Sequence, residues 1–304
     1  MKLQNDAVRL NGEIATETLD HADYDDGNNN YSFKPLGGKT MTGIKQEIIK
    51  DEFADSSFVD SNARLPKIQP LRGTNDKTCG YFVSTTELAN SGWGDFEPIA
   101  DKLIDYDFES GNVEKGLLIP NPRMLVCVRS PLMGYDRQAS QDAQQLILLG
   151  QWTREFKALE NVSNIQFYEI ILLSKDNKPL HAIPFQYIAK GANGASFSIN
   201  WQQLVTEVTT CHAIANGVPA RPKTAQFNSL CVFSFQTKRE QVGQKQKSFT
   251  CRVTSHDVPK PDNWKDYFVG YDTEVKNLVW DSLQPSLPLL SPTPTLALPE
   301  SVDF

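Results

Sequence analysis

Residues 227–252 read FNSLCVFSFQTKREQVGQKQKSFTCR and bring cations and aromatic rings close together in the sequence. Lys238, Arg239, Lys245, Lys247 and Arg252 supply positive charge against one acid, Glu240. Phe233, Phe235 and Phe249 supply flat faces. Cations neutralise phosphates and rings stack on bases, which is the chemistry a single-stranded nucleic acid requires. Arg123 and Arg129, with Arg137 further on, extend the basic character around an apolar run, MLVCV.

Other chemistries fit the residues less well. The histidines are His21, His181, His212 and His256, and no pair of soft ligands has the spacing of a zinc site. The stretch LGGKT at 36–40 lacks the first glycine of a phosphate-binding loop. The acids Asp101, Asp105, Asp107 and Glu109 cluster in a turn-rich segment, where a solvated face explains them. No nucleophile, base and orienting group can be assembled from the chain. The expectation is a non-catalytic protein without metal or cofactor.

The elements that would position these residues follow from pattern. Alternation at 230–235 and 248–253 predicts two half-buried strands joined as a hairpin. Cys231 and Cys251 would sit on its two strands, where they could face each other. LPKIQPLRG predicts a short strand whose prolines favour a sheet edge. CGYFVS predicts a second strand, and TTELANSGW a short helix capped by Ser84, Thr85 or Thr86 and ended by Gly92. MLVCVRS is a strand between PNP and SP. The stretch SQDAQQLILLGQWTREFKALE predicts a helix placing Leu146, Leu149, Trp152 and Phe156 on one face. Residues 166–173 and 180–189 predict a hairpin. FSINWQQLVTEVTTCHAIANG predicts a helix capped by Ser198 or Asn200 and ended by Gly217. NWKDYFVGYDTEVKNLVWDSLQ predicts a closing helix. Strand pairs joined by hairpin-length turns give an α+β fold around a mainly antiparallel sheet, or a barrel resembling the oligonucleotide-binding fold with helical insertions.

The chain has 304 residues and a net charge of −7. The charge is uneven. Residues 1–60 carry a net of −6 and residues 281–304 a net of −3, whereas residues 221–260 carry +6. Segments 1–60 and 284–304 predict a flexible acidic arm and a Pro-rich tail around a folded body at 61–283. Such stretches bury too little apolar surface to offset their ordering entropy. One apolar stripe in the arm, Ile44, Ile48, Ile49 and Phe53, predicts a short helix. No long apolar run predicts a membrane span, MKLQNDAVRL carries no apolar leader core, and five scattered cysteines suggest reduced thiols in a cytoplasmic protein.

The tail reads PSLPLLSPTPTLALPESVDF and ends in Glu300, Asp303 and Phe304. A Pro-rich linker with an acidic, Phe-terminated tip resembles the tails of bacterial and phage single-stranded-DNA-binding proteins. That resemblance implies single-stranded DNA as ligand and a tip that docks on replication or recombination proteins, or folds back over the DNA groove. LPKIQPLRG and CGYFVS also resemble an uncharacterised cyanobacterial family found on plasmids and phage-like elements. The leading expectation is a single-stranded nucleic-acid-binding protein of a mobile element or phage. The alternative is a structural subunit of such an element, assembling as a homo-oligomer.

Overall fold

One helix, Gly191–Asn216, sets the core. Phe197, Trp201, Leu204, Val208 and Cys211 recur at spacings of four and three, which stacks them into one buried stripe. Gly217 ends the helix in the left-handed conformation (φ +62°) that a side chain adopts only with strain. In this computed structural model the described residues are 64–73, 78–93, 97–108, 111–243 and 247–285.

In chain order the elements are β1 (Lys67–Leu71), β2 (Gly80–Ser84), α1 (Thr85–Asn90), β3 (Leu103–Asp107), β4 (Val113–Ile119), β5 (Arg123–Val128), β6 (Met133–Asp136), α2 (Arg137–Asp142), β7 (Leu148–Gln151), β8 (Val162–Leu172), β9 (Phe185–Lys190), α3 (the central helix), α4 (Ala225–Asn228), β10 (Val232–Val242), β11 (Ser248–His256) and α5 (Thr273–Leu283). The strands form one sheet in the order β11-β10-β5-β8-β9-β1-β2-β4-β3, with β6 and β7 attached beside β8. Every pairing is antiparallel except β1 with β9. The sheet is strongly curled into a half-barrel with a few helices. The fold is α+β, consistent with a barrel of the oligonucleotide-binding kind.

The connectivity explains the likeness. β5, β8 and β9 form a meander. The chain then passes through α3, and β10 returns to pair with β5, which is Greek-key order. The curl brings distant strands together around Phe197. Its ring packs edge-on against Tyr187, Phe233 and Phe235 at 4.8, 5.3 and 5.8 Å and against Tyr168 at 5.3 Å. Tyr81 on β2 meets Phe235 on β10 at 5.4 Å. Asn193, buried at the start of α3, ties the two sides by accepting from the Tyr187 hydroxyl and donating to the Cys251 carbonyl.

β5 is buried on both faces, so its apolar run is continuous rather than alternating. Met124 and Val126 face α3 beside Leu172 and Ile170. Leu125 and Cys127 share the other face with Ile171 and Glu169, and the Cys127 thiol reaches the Leu283 carbonyl of α5.

Four local expectations need correction. The helix predicted from SQDAQQLILLGQWTREFKALE is α2, ending at Asp142, followed by strand β7 and a single 3-10 turn at Glu155–Ala158. Gln144 (φ 51°) and Gly150 (φ +115°) break the helical path, and pairing with β6 takes Leu148–Gln151 instead. β1 is not an edge strand, since β2 flanks it on one side and β9 on the other. β9 pairs only with Lys67 and Ile68, so Pro70 falls beyond that ladder and its missing N–H costs nothing there. α3 begins at Gly191, well before Ser198 and Asn200, and has no side-chain cap. Cys251 stands opposite Arg239, not Cys231, and all five cysteines are buried, with no disulfide between them.

Of the three candidate caps Ser84 is the one that caps α1, accepting from the Glu87 N–H. The hairpins at 166–189 and 230–253 form, with β8 and β10 each running eleven residues. Among the described residues no helix is long and apolar enough to cross a membrane. The expected helix at 44–53 and the whole arm 1–60 lie outside the described residues.

His181 supports the β8–β9 hairpin in its neutral form. Its Nε2 accepts the Leu172 N–H at 2.8 Å, which leaves Nδ1 to donate to the Ile183 carbonyl at 2.8 Å. Burial pushes its pKa down from 6.5 to about 4. The unfolded chain takes up a proton near 6.5 and the folded chain only near 4. Between those values the unfolded state binds more protons, so stability falls as pH falls. The separation corresponds to up to roughly 3 kcal/mol. Chemical denaturation at pH 7 and pH 4 is expected to show this loss, and His181→Gln is expected to flatten that part of the pH profile.

Candidate nucleic-acid interface

The β10–β11 hairpin projects past the N-terminal end of β5, because only Val232, Phe233 and Ser234 pair with β5. The two-residue period of a strand divides the predicted basic cluster. Lys238 stands directly opposite Arg252, and Arg239 opposite Cys251. Lys238, Glu240 and Arg252 therefore share the outer face, while Arg239 and Phe249 share the other with Cys251 and Val253.

On the outer face two like charges sit side by side. Arg252 relieves the repulsion by pairing with Glu240 at 2.9 Å. Both side chains are about half exposed, so this pair contributes little to stability. Lys238 and Lys247 are exposed, and neither forms an ion pair among the described residues. On the other face the Arg239 guanidinium lies 3.3 Å from the Phe249 ring centre and its Nε donates to the Gly73 carbonyl at 3.0 Å. That pair ties the hairpin to Gly73, just after β1. Lys245 lies outside the described residues, as do Glu300, Asp303 and Phe304.

The rest of the expected site has structural work instead. Phe233 and Phe235 cannot stack on bases: they are 0% and 1% exposed and pack on Phe197. Inward is the only direction open to them, since alternation places them on the α3 side of the sheet. Arg129 is also withdrawn, 8% exposed, with Nε 3.1 Å from Glu169 Oε1 and Nη1 reaching the Gln284 carbonyl. The Nε–H does not point at the carboxylate, so this is an ion pair without a hydrogen bond. Burial pushes the Glu169 carboxyl up, and Arg129 partly offsets the effect. Arg123 donates to Asn177 Oδ1 at 2.9 and 2.7 Å and to the Asp266 carbonyl at 2.7 Å. It pins the β8–β9 turn to the loop before α5. Arg137 donates to the carbonyls of Glu160 and Asn161 and holds the segment between β6 and β8.

A family described as "Domain of unknown function (DUF5895)" matches residues 62–302. The chain belongs to that family. No curated protein and no solved structure matches it.

Within this DUF5895 domain a second exposed feature lies on the outer face of β8 and β9. Register places Ile165, Phe167 and Glu169 on that face beside Lys190, Ile188 and Gln186. Phe167 and Ile188 are half-buried, Lys190 is exposed, and a shallow groove continues over Ile165 and Ile188 toward Tyr135 and Arg137. The sequence signal for Phe167 is its place next to Tyr168, since adjacent residues on a strand must face opposite ways. Lys190 carried no such signal because it closes a strand just before a helix. The groove lies at the end of β8 and β9 farthest from the hairpin, so the two are separate features.

Proposed function

We propose that the chain is a non-catalytic single-stranded nucleic-acid-binding protein, with DNA as its ligand. One observation carries this reading. A hairpin with exposed Lys238 and Lys247 projects from a curled sheet in which β11-β10-β5-β8-β9 run in the order of an oligonucleotide-binding barrel, where the loop between the fourth and fifth strands contacts the ligand. Phosphate neutralisation by Lys238, Lys247 and Arg252 supplies the affinity. Stacking falls to Phe249, 38% exposed on the hairpin, in place of Phe233 and Phe235. The acidic, Phe-terminated tail supports a role in replication or recombination of a cytoplasmic mobile element, with the tip recruiting partners or competing with DNA.

Mobility shifts with oligo-dT at low salt test this. Binding that weakens steeply with added salt is the expected result. Absence of binding at protein concentrations up to about 10 µM would sink the proposal, since non-specific affinities normally reach that range.

A further inference from the structure

The inner face of the β10–β11 hairpin carries an aromatic ring with a cation laid against it. Arg239 faces Cys251, and Phe249 lies two residues earlier on β11, so the two are diagonal neighbours on one face. Diagonal neighbours are within reach when the side chains are aromatic and long. The guanidinium carbon of Arg239 stands 3.3 Å from the ring centre, so the planar group covers one face of the ring. A second contact holds it there, since Arg239 Nε donates to the Gly73 carbonyl at 3.0 Å. Phe249 is nonetheless 38% exposed, whereas Phe233 and Phe235 are 0% and 1% exposed. With one face covered, that exposure belongs to the opposite face and the ring edge. Among the described residues no second aromatic ring stacks on it.

An aromatic ring carries negative charge on its two faces. A cation on one face draws that charge toward itself, which leaves the open face poorer in electrons. Every base can stack on an aromatic face, and preferences among bases come from stacking strength. An electron-poor face stacks best with an electron-rich partner, and guanine is the most electron-rich of the four bases. We propose that Phe249, backed by Arg239, is a base-selective stacking site that favours guanine in a single strand. This rests on the nucleic-acid reading above and adds to it which base the hairpin takes. Lys238 and Lys247 supply charge without regard to sequence. Arg239 acts through Phe249 and is a positioning residue for base choice.

Fluorescence anisotropy of the full chain with equal-length single strands of repeating TTG, TTA, TTC and TTT tests it, in lithium salt so that guanines do not assemble into quartets. The TTG strand is expected to bind about two- to fivefold more tightly than the TTA strand, the size of an exposed cation–π interaction. Guanine and adenine offer nearly equal ring area, so their ratio reports electron density rather than size. Arg239→Met keeps the length of the side chain and removes its charge. It is expected to bring the ratio close to one. A general loosening of the hairpin would weaken both strands alike and leave the ratio unchanged, so the readout separates base choice from structural support. Phe249→Leu is expected to weaken binding of all four strands and to abolish the ratio as well. Equal affinity for TTG and TTA overturns the inference and leaves nucleic-acid binding standing. So does a preference that survives Arg239→Met. Absence of binding to all four strands at about 10 µM overturns both.

Discussion

Phe197→Ala is expected to destabilise the domain by roughly 3–5 kcal/mol, the range for removing a fully buried aromatic ring. Phe197 is where the curl of the sheet closes. Its ring touches Tyr168 and Tyr187 on the meander, Phe233 and Phe235 on the returning strand, and lies 6.3 Å from Tyr81 on β2. Removing it opens a cavity bordered by side chains from four strands, and none of them can move in alone. Tyr81 and Tyr187 are committed to each other and to Asn193. Phe233 and Phe235 are fixed against one another at 4.4 Å. The cost therefore includes both lost transfer energy and an unrelieved void. Urea denaturation of the variant and the parent measures it. A loss below about 1 kcal/mol would mean that the strands collapse onto the vacancy, and the curl would not depend on this ring.

Neutralising Lys238 and Lys247 together is expected to weaken oligo-dT binding about 25-fold at 0.1 M salt. The estimate follows from counterion release, in which each phosphate contact on a single strand contributes about 0.7 to the slope of log affinity against log salt. Two contacts amount to about 1.4 in that slope, and at 0.1 M to about 1.4 decades in affinity. Both lysines are exposed and remote from the core, so the double alanine variant is expected to keep the parent's stability. The control is Arg239→Ala. It removes the stack on Phe249 and the bond to Gly73, and its effect should register in hairpin stability. Titrations at three salt concentrations separate slope from affinity. If the lysine variant keeps the parent's slope, the hairpin does not contact phosphate.

The physical period of each element decided what could be read in advance. Strands β5, β8, β10 and β11 announce themselves through apolar runs between turn residues. α3 does so through a stripe at spacings of four and three. Charge excess in the hairpin is likewise a local property. The helix expected across 140–160 was misplaced because its apolar residues fit two periods. Pairing with β6 favoured the strand, and no residue within that segment carries the information. The same limit applied to the site. Alternation predicts that Phe233 and Phe235 share a face, but only the position of α3 makes that face the interior. Arg129 looks like a free cation until Glu169 and the Gln284 carbonyl are brought to it from 40 and 155 residues away.

By itself, then, the sequence determined the α+β class, the principal hairpins, the central helix and the concentration of basic charge between β10 and β11, because each depends on neighbours within a few residues. Tertiary structure alone decided which aromatics are core and which arginines are already bound. Those properties depend on long-range pairing and on the curl of the sheet around Phe197, which join segments more than a hundred residues apart.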